Sequence, residues 1–281
     1  MVFEFIIDFF VLVFGLCIGS FLNCAIYRME QEEKITGRSF CPHCKHMLSW
    51  KDLFPVFSFL LLKGKCRYCH KRISGQYPLV EISTALIFLA VLNFRFPFLN
   101  QFSFSQFLSV AFLFYISSVL IVIFVYDLKH YLIPDEVLLP AIIISFLYRL
   151  SENLLIGRWD LLKTFKIEIG GYATFFNFIL AALVAAGFFL VIFLVSRGRG
   201  MGFGDVKLAV LMGFLLGLPD VLTALFLAFF FGAIIGIILM IYQKKSLKSE
   251  IPFGPFLIAG TFMAMLYGGQ IIQWYTNFFQ I

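Results

Sequence analysis

Residues 172 to 196 read YATFFNFILAALVAAGFFLVIFLVS, an apolar stretch without one charged side chain. A helix rises about 1.5 Å per residue, and about 20 predominantly apolar residues cross the roughly 30 Å hydrocarbon core of a bilayer. A surface helix of a soluble protein would need a polar face, and this stretch offers none. It reads as a membrane span, and the chain around it repeats the pattern.

Working outward, apolar runs fall at 5–27, 79–97, 107–126, 134–150, 206–217, 219–242 and 255–277. The run 206–217 is short and is broken from the next at Leu218 and Pro219, which suits a half-buried helix closed by a tight turn. The 281 residues are 61% hydrophobic and 14% charged, with 39 phenylalanines and a mean hydropathy of +0.95. Soluble domains carry about 45–50% apolar residues, so a water-soluble core is excluded. The expected fold class is an all-α polytopic membrane protein of about eight transmembrane helices with a small cytoplasmic zinc-binding loop module. Its expected divisions are a first span at 1–27, a four-cysteine loop at 28–78 and a seven-span domain at 79–281.

A net charge of +6 would suit nucleic acid in a soluble protein, but in a membrane protein it reports orientation. The first span carries Glu4 and Asp8 and no Lys or Arg before Arg28, unlike a cleavable signal peptide. With the N-terminus outside, the inward segments hold 17 of the 22 Lys and Arg. The expected partner is thus the lipid bilayer and not nucleic acid. The long loop, Asp127 and Asp205 are expected on the cytoplasmic side of the membrane. Residues 151 to 171, which carry three of the remaining basic side chains, suit an interfacial amphipathic helix.

Within the long loop, Cys41-Pro-His-Cys44 and Cys66-Arg-Tyr-Cys69 place two thiols on each of two tight turns. That spacing predicts one structural zinc held by Cys41, Cys44, Cys66 and Cys69, and a cytoplasmic loop disfavours disulfides. His43, His46 and His70 then read as exposed loop residues, and Cys17 and Cys24 as buried small residues of an apolar helix. No internal repeat is evident.

Asp127 follows the third span in Tyr126-Asp127-Leu128-Lys129, and Asp205 ends Gly200-Met201-Gly202-Phe203-Gly204-Asp205 just before the sixth. Two ionisable groups at one face of a bundle are costly unless used, which makes them the candidate catalytic pair. Each also has a plain reading as an interfacial charge, Asp205 as a helix N-terminal acid. Asp135 and Glu136 follow Pro134 and suit a first helical turn. The glycines allow close backbone approach and positive φ, so Gly202, Phe203 and Gly204 are the candidate substrate contacts. Two carboxylates suffice for paired acid and base work when one is ionised and the other protonated. Helix dipoles read from the span ends make Asp205 the base and Asp127 the acid.

Taken together, these residues resemble a known family. Gly19-Ser20-Phe21-Leu22-Asn23 with Tyr27-Arg28, the two CxxC knuckles, Tyr77-Pro78-Leu79-Val80-Glu81, the stretch from Asp127 to Asp135, Gly202-Phe203-Gly204-Asp205 and Pro252-Phe253-Gly254-Pro255 resemble bacterial type IV prepilin peptidases, in order and over almost the whole chain. The resemblance implies a GxGD aspartic peptidase that removes the basic leader of a prepilin or pseudopilin helix after a glycine, with Asp127 and Asp205 in the catalytic positions. It also implies, for many members, N-methylation of the new first residue from S-adenosylmethionine, associated with the N-terminal region and the cysteine loop. Met29 stands where proline is common, and no GxGxxG-like fingerprint supports a nucleotide site. Two other classes compete: an ion- or proton-coupled transporter or channel using the aspartates as a relay, and a non-enzymatic scaffold of pilus or secretion assembly that docks a partner through the loop.

Overall fold

The computed structural model describes residues 2–96, 104–156, 175–198, 200–242 and 251–279. Among them are nine α-helices and no β-strand beyond two isolated bridges. These are α1 (Val2–Glu30), α2 (Phe57–Leu61), α3 (Gln76–Arg95), α4 (Phe104–His130), α5 (Asp135–Ile156), α6 (Phe175–Ser196), α7 (Phe203–Leu216), α8 (Asp220–Ile241) and α9 (Gly254–Phe279). Seven are long and apolar enough to cross a membrane, which makes this a multi-pass membrane protein.

The two others are the five-residue α2 and α7, and α7 is the informative one. Its 14 residues rise about 21 Å, short of the hydrocarbon core. A helix ending at that depth leaves carbonyls that lipid cannot satisfy, so protein must do it. Arg149 does: Nε donates to the Phe214 carbonyl at 3.0 Å and Nη2 to Leu215 at 2.7 Å. The Asn177 amide clips the following turn through the Leu218 N–H at 2.7 Å and carbonyl at 3.2 Å.

The chain divides into two compact units, Met1–Val122 and Ile123–Ile281, with the boundary inside α4. In the first, α1 packs on α3 at small residues: a Cβ at Gly15 or Gly19 would lie 2.6 Å from the Cα of Ala85 or Glu81. Phe14, Phe88 and Phe114 cluster beside that crossing, Phe88 and Phe114 stacked at 4.1 Å. In the second, α7 packs on α6 where Gly213 meets the Ala182 backbone, and α9 packs on α8 where Gly260 meets the Ala224 carbonyl. Phe253 sits against Phe229 at 5.0 Å and Phe189 at 6.1 Å, fixing the start of α9.

Several expectations change in detail. Asp127 lies inside the last turn of α4 and Asp205 inside the first turn of α7, because both helices continue past the apolar runs into the motifs. Cys17 is exposed on the outer face of α1 and Cys24 is half-buried, with Ser39 Oγ at 3.9 Å from its Sγ. Neither thiol is in the core, since an apolar outer face is what a bilayer solvates. Ser151–Ile156 complete α5, and the rest of the expected amphipathic segment lies outside the described residues.

Candidate functional site

In the first unit the two knuckles share one backbone turn. The first cysteine of each donates its N–H to the carbonyl five residues on, Cys41 to His46 and Cys66 to Lys71, both at 2.9 Å. Its carbonyl accepts the N–H four residues on, from Lys45 at 2.9 Å and His70 at 3.0 Å. Lys45 and His70 both have φ of 56°, and bridges Phe40–Met47 and Lys65–Arg72 close each turn. The same geometry recurs 25 residues along, a local repeat that the sequence reading did not anticipate.

The turns bring the four Sγ atoms within 4.8 Å of one another, Cys41 to Cys69 at 3.9 Å. Tetrahedral ligation with bonds of about 2.3 Å requires sulfurs about 3.8 Å apart, so the four cysteines fit one metal ion. All are free thiols, and none of the three nearby histidines joins the group. His43, His46 and His70 are exposed, with the His46 ring 3.7 Å from that of Tyr68 and tilted by 36°. Burial raises the Cys66 thiol, but N–H groups of Cys69 and Tyr68 and the neighbouring cysteines bring it down to about 7, while burial pushes Cys41 up to about 11, so without a cation the cluster ionises one thiol first. Asp52 braces this module by accepting from Ser49 N at 3.1 Å, Ser49 Oγ at 2.8 Å, Arg67 Nε at 2.6 Å and Tyr68 OH at 3.1 Å. Burial would raise its carboxyl, but those donors hold it at about 2.

In the second unit Asp127 and Asp205 are buried, 4% and 8% exposed, and the charge of one acts on the other. Asp205 is the third residue of α7, where its carboxylate reaches back to the Gly202 N–H. Its helix-capping geometry is thus real, and its burial against a second carboxylate is additional. Asp127 faces the N–H of Gly254, the first residue of α9, while its Oδ2 is buried without a hydrogen-bond partner. A buried acceptor left open beside a second carboxylate is where a water or a peptide group belongs.

Sequence reasoning quoted Gly254 in a motif without giving it a task. A Cβ there would lie 2.5 Å from Asp127 Oδ2 and 3.5 Å from Ile133 Cδ1. Only glycine lets α9 begin at that point, and the signal for it was an otherwise unexplained Pro-Phe-Gly-Pro. Ile133 also touches the other side of the site, since a Cβ at Gly204 would lie 3.1 Å from its Cβ. Gly204 therefore packs against its own chain. Gly202 is open, its virtual Cβ 3.9 Å from Asp205 Oδ2, and Phe203 is 48% exposed with its ring 5.5 Å from Phe193. Gly202 has φ of −76°, and neither Gly200 nor Gly204 has positive φ, so turn geometry does not demand glycine here; Gly204, and not Gly202, meets a close neighbour within the chain. Asp135 and Glu136 occupy the first turn of α5 as expected, and Asp135 pairs with Lys207 at 2.6 Å.

The family model described as bacterial Peptidase A24 N-terminal domain matches residues 13–95, and the one described as type IV leader peptidase family matches residues 114–237. A protein of Bacillus subtilis (strain 168) named prepilin leader peptidase/N-methyltransferase is 34% identical over 264 residues, which covers 94% of this chain and 95% of its own. Proteins of the same name from Aeromonas hydrophila and Legionella pneumophila are each 32% identical, covering 95% of this chain and 93% of their own. No solved structure matches significantly. With 94–95% of the chain covered at this identity, it belongs to the type IV leader peptidase family.

Proposed function

We propose that this protein is an aspartic endopeptidase that removes the basic leader of prepilin-like proteins at the cytoplasmic face of the bacterial inner membrane, with Asp127 and Asp205 as its catalytic pair. The observation that carries this reading is two buried carboxylates in one unit, near enough for the charge of Asp127 to act on Asp205, with one Asp127 oxygen left unpartnered. Two carboxylates that act on each other in this way share one proton, so one group takes a proton from water while the other polarises the scissile carbonyl. Asp127 meets the N-terminus of α9 as Asp205 meets that of α7, so helix ends no longer separate acid from base. The pair is treated as one titrating unit.

The substrate enters as an apolar helix whose Lys and Arg leader is held on the inner side, by about 1 kcal/mol for each basic residue near the surface. Glycine at the scissile position weakens the helix by about 1 kcal/mol relative to alanine, which favours unwinding there. Phe203 and Gly202 are exposed enough to touch the unwound segment, whereas Gly204 supports the site from behind.

Cys41, Cys44, Cys66 and Cys69 would hold a structural zinc, which ties the two knuckles together and takes no part in hydrolysis. Methylation of the new N-terminus would draw its methyl group from S-adenosylmethionine. The first unit offers buried, unpartnered acceptors that suit an amine-bearing ligand. Mass spectrometry of a prepilin incubated with the purified protein and S-adenosylmethionine tests the reading: leader loss is expected, followed by a single methyl increment. An intact prepilin, together with ion flux through vesicles that hold the protein, would favour the transporter class instead.

A further inference from the structure

The first unit contains a second set of buried polar groups that hydrolysis by Asp127 and Asp205 does not use. α1 and α3 cross at Gly19, whose missing Cβ would lie 2.6 Å from Glu81 Cα. One turn further on α1, Asn23 is 2% exposed and its Nδ2 donates to the Tyr77 carbonyl at 2.9 Å. Tyr77 lies one turn before Glu81 on α3, so the amide rests against the turn that leads to the carboxylate. Asn23 Oδ1, by contrast, is buried without a partner.

Glu81 is 6% exposed, and its carboxylate accepts the Val56 N–H at 2.7 Å and the Ser20 hydroxyl. Among the described residues no Lys, Arg or His pairs with it. Arg28, 3% exposed on the same helix as Ser20 and Asn23, is engaged instead by the carbonyls of Lys34, Ile35 and Arg38. A buried carboxylate without a counter-charge is unfavourable, and so is a buried acceptor without a donor. One kind of group corrects both, a cation that carries N–H donors. A neutral acceptor or an anion would meet only acceptors. A primary ammonium, compact and with three donors, suits a crossing where helix backbones approach this closely better than a planar guanidinium does.

We propose that Asn23 Oδ1 and the Glu81 carboxylate form a binding site for a primary ammonium group at the α1–α3 crossing. For the identity of its ligand the proposal rests on the leader peptidase and methylation reading, which supplies two sources of that chemistry. One is the α-ammonium of the peptide N-terminus freed by cleavage. The other is the α-ammonium on the methionine part of S-adenosylmethionine.

The test uses the full-length, zinc-loaded protein in lipid nanodiscs and measures binding by calorimetry. The probes are S-adenosylmethionine, its deaminated analogue, a mature pilin-type peptide with a free N-terminus and the same peptide acetylated. At least one ammonium-bearing probe is expected to bind, tenfold or more tighter than its ammonium-free counterpart. The probe that shows this difference identifies the source. Glu81→Gln is expected to abolish most of the difference. Asn23→Leu removes the unpartnered acceptor together with the Nδ2 bond to the Tyr77 carbonyl, two losses of opposite sign, so the melting temperature of the ligand-free protein should change little while binding weakens at least fivefold. That separation of binding from stability distinguishes a ligand site from a merely structural one, and it holds if Glu81→Gln fails to fold. The proposal is overturned if no probe distinguishes its ammonium-bearing form, or if Asn23→Leu binds as the wild type does. Leader cleavage is followed in parallel and should stay within about threefold of wild type in Asn23→Leu. Loss of cleavage by the wild type itself would refute the peptidase reading, whatever the binding result.

Discussion

The cysteine knuckles and the aspartate pair solve opposite problems of assembly. Each knuckle makes its own geometry: four residues, one turn and two backbone hydrogen bonds set two thiols, and the same turn occurs again 25 residues along. The aspartate site has no such unit, because its parts come from the end of α4, Ile133, the start of α7 and the start of α9. A local site is specified by spacing, whereas a distributed one is specified by the absence of atoms where helices must converge. Glycine at 204 and 254 is that absence. Damage should therefore be all-or-none at the carboxylates, graded at the glycines and confined to the module at the cysteines.

The sharpest way to break this contrast is to neutralise one carboxylate. Asp127→Asn or Asp205→Asn is expected to lower leader cleavage by about 10³-fold or more, and the double variant should be no worse than either single one, because the pair acts as a unit. Asp135→Asn, which loses only a half-exposed ion pair with Lys207, should stay within a few fold. Mass spectrometry of the prepilin product over time reads all four, and substantial cleavage by Asp127→Asn would remove it from the catalytic pair.

Next in size is the glycine series, which tests whether convergence is what matters. Gly254→Ala places a methyl 2.5 Å from Asp127 Oδ2, so the carboxylate or α9 must move, and a shift of that order costs about 10²-fold in turnover. Gly204→Ala meets Ile133 Cβ at 3.1 Å and should cost less, in kcat. Gly202→Ala has 3.9 Å of clearance from Asp205 Oδ2, so any effect should fall on KM, as expected of a residue that touches substrate. Equal losses in all three would mean that backbone flexibility, and not close approach, is the reason for glycine.

What could be read from the sequence follows the same division. Spans of charge-free residues and CxxC pairs are local patterns, and the helices and the thiol cluster appear where those patterns lie. That α7 stops short was legible at Leu218 and Pro219, but what satisfies its end was not, because Arg149 looks like a loop-side cation until its hydrogen bonds to the Phe214 and Leu215 carbonyls are seen. The task of Gly254 was hidden for the same reason, since its neighbour Asp127 is remote in the chain. The buried acceptors Asn23 and Glu81 were quoted as part of a motif, yet their lack of a cationic partner is a property of the folded unit alone.

A smaller effect, on the module alone, is expected from Cys41→Ser. Metal analysis should find about one zinc per chain in the wild type and a large loss in the variant, with the loop opened to protease. Leader cleavage should persist at a reduced level, because the carboxylates are supplied by the second unit. If cleavage falls as far as in Asp127→Asn, the two sites are not separable.

The smallest expected effect lies in the brace of that module. Asp52 joins the Ser49 turn to the second knuckle through Arg67 and Tyr68, so Asp52→Asn should release zinc to a chelator a few fold faster without changing the ligand set. The pH dependence gives the sign. The folded carboxyl is held at about 2, below its unfolded value of about 3.9, so its contribution is fully present above that unfolded value and is lost as the pH falls toward 2. Between pH 5 and 8 Asp52 stays ionised in both states. The ratio of release rates between variant and wild type should therefore be flat across that window, even though both rates rise as thiols protonate at the acid end. A ratio that collapses toward one between pH 8 and pH 5 would show that Asp52 acts through a group titrating near neutrality, such as the Cys66 thiol held at about 7, and not as a fixed charge in the brace.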